Sequence, residues 1–141
     1  MPKQQPQWQP ISKLPWMTEH IDGWLEVVQE QYETLLPAKA RPSSLDDYTI
    51  NRVIKVFTEQ QDDLWLFDEQ LKRWSGGKLT DVQRTEVQRL QGQMKKLGEQ
   101  ITTILTLADE LSKGTIEKVM AKSDAELGLE FLLNPEKLKN I

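Results

Sequence analysis

The sequence predicts an all-α protein: an antiparallel, coiled-coil-like hairpin of two long helices, a third helix before it and short helices after it, together a helical bundle. Three observations predict it. Large residues recur at alternating steps of three and four through Ile50, Val53, Phe57, Gln60, Leu64, Phe67, Leu71 and Trp74, and again through Val87, Leu90, Met94, Leu97, Ile101, Ile104, Ala108 and Leu111. That step lines one face of a helix. Ser75-Gly76-Gly77-Lys78 lies between the two stripes, where a turn folds them into a hairpin. Glycine and proline fall mostly at the boundaries these stripes imply.

Residues 1–15 carry Pro2, Pro6, Pro10 and Pro15, so they read as an extended, flexible Pro/Gln-rich arm. Trp8 is its main apolar group and offers a second reading, in which it docks the arm on the body or on a partner. Residues 16–133 read as one bundle domain, and 134–141 as a frayed tail. The first helix is expected from about Trp16 to Leu36, with Met17, Ile21, Leu25, Val28, Tyr32 and Leu35 on its apolar face. Glu19, Asp22, Glu26, Glu30 and Glu33 give it an acidic outer face. Gly23, like Gly92 and Gly98 further on, weakens a helix interior, and close packing is one rationale.

Pro37 ends the first helix. The second is expected from near Leu45 to Trp74, capped by Ser44, with Asp68–Lys72 and Glu69–Arg73 as i,i+4 ion pairs. Gly76 or Gly77 suits a left-handed cap. Thr80-Asp81-Val82-Gln83 reads as a capping box for the third helix, which runs to about Ser112 with Gly114 as terminator. Two short helices follow, the second opened by Ser123-Asp124-Ala125-Glu126 and carrying Leu127, Leu129, Phe131, Leu132 and Leu133. So many apolar groups call for cover.

The hairpin closes in one of two registers. One pairs Trp74 with Val87, Leu64 with Leu97, Phe57 with Ile104 and Ile50 with Leu111. The other pairs Phe67 with Val87, Leu64 with Leu90 and Ile50 with Ile104. The short loop favours the second, because it sets Trp74 nearly level with Thr80. Gln60 is the one polar residue in the stripe, either bonded to a neighbour or acting as a register device. Trp65 and Ile54 read as contacts for the first helix.

The chain has no cysteine, which excludes disulfides and thiolate metal sites and fits a cytoplasmic setting. Its formal charge of −4 speaks against a broad nucleic-acid surface. Basic residues such as Arg84, Arg89, Lys95 and Lys96 are interleaved with acids, as on a solvated face. The opening residues lack the apolar core of a signal peptide, and no apolar run is long enough to span a bilayer. His20 is the only histidine, so neither a catalytic triad nor a Glu-x-x-His di-metal pair is indicated. No catalytic, cofactor-binding or metal-ligating set emerges.

These readings point to a non-catalytic interaction or scaffold module. A first helix of about 20 residues leaves part of a third helix of about 30 uncovered, which implies a homodimer. A protein partner is expected; a membrane, a nucleic acid and a small-molecule substrate are not. The candidate interaction surface comprises Trp8, Trp24, Glu26, Glu30, Leu111, Leu129 and Phe131. The alternatives are an enzymatic or small-ligand-binding bundle, with a pocket between helix one and the hairpin using His20, Tyr32 and nearby carboxylates, or a nucleic-acid-associated regulator.

Overall fold

The first helix of the chain starts at a proline and each of the next two at a side-chain cap. The computed structural model describes residues 5–133, apart from the side chains of 122–125, 127 and 130–133. The helices are α1 (Leu14–Leu35), α2 (Asp47–Ser75), α3 (Asp81–Ser112) and α4 (Ile116–Leu133). Short 3-10 turns occupy Ile11–Lys13, Leu36–Ala40 and Pro42–Ser44, and no strand occurs among the described residues. The expected tail, 134–141, lies outside them.

Pro15 is tolerated in the first turn of α1, where its missing N–H has no helical partner, so the helix begins at Leu14 rather than Trp16. The cap of α2 is Asp46, whose Oδ1 accepts the Thr49 N–H at 2.7 Å, and not Ser44. Ser44 belongs to a 3-10 turn and donates instead to the Arg41 carbonyl. Both bonds of the Thr80–Gln83 capping box form, at 3.2 and 3.0 Å. No glycine among the described residues has positive φ. The expected left-handed cap is replaced by right-handed turns, in which Gly76 N–H donates to Lys72 and Gly77 N–H to Trp74. α4 runs unbroken through Ser123–Glu126, where a second helix start was expected; with no Gly or Pro there, continuing the helical hydrogen bonds wins over capping.

α1 lies antiparallel to α2 and parallel to α3. Thr18 meets Glu86 and Asp22 meets Arg89 and Gln93, in ascending order. Against α2 the order reverses: Gln9 meets Gln70 and Trp74, while Trp24 meets Gln60. The result is an up-down-up bundle around one main core, with Ile21, Leu71, Leu90, Leu97, Ile101 and Ile104 fully buried.

The hairpin adopts the register that loop geometry disfavoured. Ile50 clusters with Leu107, Ala108 and Leu111. Phe57 and Ile104 line one small cavity, and Leu64 Cδ1 lies 3.7 Å from where a Gly98 Cβ would stand. The first turn of α3 therefore extends past the end of α2. Ile11, Leu14 and Thr18 flank it on the α1 side, while Val82 faces solvent. The start of α1 supplies the cover that a tight two-helix turn would otherwise have had to provide, and every apolar layer of the hairpin stays paired.

At the other end the connection does a similar job. α1 spans about 33 Å and α3 about 48 Å. Tyr32, Leu35, Ala38 and Leu45 fold over the last turns of α3 and complete a second core around Ile50, Leu107, Ala108 and Leu111. Leu111 is 1% exposed. It is thus sealed within the chain and forms no part of an outer surface, which corrects its place among the candidates. Gly114 then lets the backbone pass Pro42, since a Cβ there would lie 2.8 Å from Pro42 Cβ.

Candidate functional site

The arm, which reads as flexible from its prolines, is pinned at Gln9. Gln70, only 5% exposed, accepts the Gln9 N–H on Oε1 at 2.6 Å and donates Nε2–H to the Gln9 carbonyl at 3.3 Å. Trp74 Nε1–H donates to the same carbonyl at 2.8 Å. Trp8, half-buried, lies under the Arg73 guanidinium, 4.3 Å from the ring centre, a cation–π contact. Beside this segment runs an open groove of about 1170 Å³ shared with Asp62, Asp63, Trp65, Leu66 and Phe67. Trp65, expected against α1, is more than half exposed and shares this groove with Met17 of α1, whereas Ile54 packs in the second core.

A ladder of rings joins α1 to α2. His20 stacks between Trp16 and Phe67, with both centroid separations 5.0 Å. Trp24 meets Phe67 edge-on at 5.2 Å and donates Nε1–H to Gln60 Oε1 at 2.7 Å. That bond explains the polar residue in the stripe: Gln60 satisfies a tryptophan, as the simpler of its two readings expects. Partial desolvation beside the rings pushes the still exposed His20 imidazole below its ordinary value by penalising the cation.

The α1–α3 side holds a lattice of charges. Arg89 bridges both Asp22 oxygens at 3.0 and 2.8 Å and also bonds Glu86, which accepts the Thr18 hydroxyl at 2.9 Å. The Arg89 guanidinium holds the Asp22 and Glu86 carboxyls below the usual range, and they raise Arg89 in turn. Asp22 therefore belongs to an interhelical lattice rather than to a free acidic face. A neighbouring groove of about 970 Å³ is lined by Ile11, Leu14, Pro15 and Val82. It lies between helix one and the hairpin, where a ligand pocket was considered, but neither His20 nor Tyr32 lines it.

The fourth element is tied to the body by its first turn. Thr115, fully buried, donates its hydroxyl to Asp47 Oδ1 at 2.6 Å, and Glu117 accepts the Asp47 N–H at 2.9 Å. Glu117 thus caps the start of α2, while Asp47 holds the residue that precedes α4. Ile116 N–H donates to Leu45, and Lys118 reaches Asp47 at 3.3 Å. The Thr115 hydroxyl holds Asp47 below the usual carboxylate range, with help from Lys118. Ile116 in that turn is exposed, and so beyond it are Val119, Met120 and Leu129, Met120 at 59% and Leu129 at 58%.

The predicted surface is therefore dispersed. Trp8 sits by α2, Trp24 in the ring ladder, Glu26 and Glu30 on the open side of α1, and Leu129 on α4. The Phe131 side chain lies outside the described ones. Sequence reasoning missed Gln70, read Arg89 as part of a solvated face, and gave Asp47 only a place at the start of the second helix. Their signals were faint: a polar residue four before a tryptophan, an acid three before an arginine, and paired acids at a helix start. Among the described residues no group of three or more His, Asp or Glu side chains is placed to hold a metal, and no helix is long and apolar enough to cross a membrane. No protein-family model, curated protein or solved structure matches this chain.

Proposed function

We propose that this chain is a non-catalytic docking module whose α4 face mediates self-association, with a homodimer as the working assembly. One observation carries the reading: α4 presents Ile116, Val119 and Met120 to solvent on one side of the helix, while the described residues tie it to the body through its first turn. An apolar helix held out in this way lowers its free energy by pairing, at roughly 25 cal/mol per Å² removed from water. A second copy offers the same face through a two-fold axis. The uncovered α3 seam that first suggested a dimer is closed by residues 36–45, so α4 is the better place for the contact.

Light scattering of the full chain over a concentration series tests this. The mass should approach twice the 16.4 kDa of one chain. Met120→Glu should hold it at one chain without altering the helical circular dichroism. A wild-type protein that stays at 16.4 kDa at the highest concentration would refute self-association.

A further inference from the structure

We propose that the C-terminal half of α2 is a peptide-binding site for another protein, taking an extended segment of the form Trp-x-Pro, and that residues 5–10 occupy it in cis. The contacts to the arm have the character of peptide recognition. Gln70 and Trp74 address only the main chain of Gln9, through its N–H and its carbonyl. The Gln9 side chain turns back to the Gln7 carbonyl at 3.1 Å, so the middle position places no demand on residue type. Gln70 is a buried amide whose two groups are both committed to the main chain of that one residue. Any occupant must present a free N–H there, or leave Gln70 unsatisfied.

The flanking positions differ: a side chain reads Trp8, and backbone conformation alone marks Pro10. Arg73 covers the indole of Trp8, and Pro10 follows with φ −70° and ψ 159°, the polyproline II geometry used by proline-rich ligands. The arm does not fill the groove, which continues past Trp65 and Leu66. Asp62 and Asp63 line that part and belong to no ion pair among the described residues. A ligand with basic residues upstream of its Trp matches this charge. The tethered arm competes at an effective concentration of order millimolar, so it acts as a gate that a partner must displace. The site stands independently of the α4 reading, whose failure would leave it untouched.

The test uses the full chain and a fluorescently labelled synthetic peptide reproducing residues 3–12. Trp8→Ala and, separately, Gln9→Pro loosen the cis arm, the latter by removing the N–H that Gln70 accepts. Each variant should bind the peptide at least about tenfold more tightly than the wild type does. Adding Gln70→Leu or Arg73→Ala to Trp8→Ala should reverse the gain, and a peptide with its Trp replaced by Ala should not bind. Arg73 is exposed, so its change tests the site even if the core is sensitive at Gln70. Equal binding by wild type and both arm variants would overturn the proposal, as would binding indifferent to both site substitutions. A wild-type dimer that Trp8→Ala dissolves and Met120→Glu does not would also overturn it, by showing a second copy's arm as the occupant.

Discussion

Gly92 and Gly114 have opposite consequences although both carry only hydrogen at Cα. Gly92 lies within α3, and a Cβ there would meet nothing within 4 Å. Gly92→Ala should therefore raise unfolding stability by up to about 1 kcal/mol, through helix propensity and unfolded-state entropy. Gly114→Ala drives a methyl into Pro42 and should cost about 1–3 kcal/mol. Urea titration of both variants checks the pair; equal effects would contradict it. His20 makes a second prediction at this scale. Its folded pKa lies below its unfolded value near 6.5, so the unfolded chain takes up the proton first. Stability should fall as pH drops through 6.5 toward the folded value and then level off, and His20→Gln should remove that step. An NMR titration placing His20 above 6.5 would show instead that the flanking rings stabilise the cation. Little of this was legible beforehand. A sequence shows that Gln60 interrupts a stripe, but not that Trp24 hangs its indole N–H on it, because that pairing depends on how two helices are rotated about their axes.

Helix identities and most boundaries were legible, because their signals are local. Thr80 with Gln83 makes the box the sequence spells, and Pro37 follows the end of α1 closely. The misreadings arose where a local signal competes with something further off. Ser44 was displaced as a cap once residues 42–44 formed their own turn, and Ser123-Asp124 did not interrupt the helix because no Gly or Pro lies beside them. Among the described residues α4 is tied by one contact set, so Asp47→Ala should loosen it selectively. Hydrogen exchange should accelerate in the first turns of α4 while α1 and the middle of α3 keep their protection; uniform acceleration would contradict the tether. The α1–α3 lattice supplies a pH signature of its own. Asp22 and Glu86 have folded values below their unfolded ones, so their stabilisation is complete above the ordinary carboxylate range and is lost as pH falls through the folded values. The acid-induced loss between about pH 5 and about pH 2 should be shallower in Arg89→Ala than in the wild type. Asp68, raised by burial, works weakly in the opposite sense.

At the scale of the molecule, the sequence contained both hairpin registers, and loop length alone chose the wrong one. The deciding fact was non-local: the start of α1 and the turn before it cover the overhanging start of α3, and residues 36–45 cover its end. Those segments have weak periodicity, so their role as lids could not be read from spacing. The consequence is a frame whose main core is closed at both ends, while among the described residues α4 carries Ile116, Val119 and Met120 exposed close together on one helix. The absence of cysteine makes single-cysteine cross-linking a direct probe of that claim. Cysteines placed one at a time at Ile116, Val119 and Met120 in the full chain, then oxidised, should yield disulfide-linked dimer rapidly from at least one position. A cysteine at Val82, 80% exposed at the opposite end of α3, should yield little. Dimer forming as readily from Val82 as from all three α4 positions, or from none of them, would contradict α4 as the docking face.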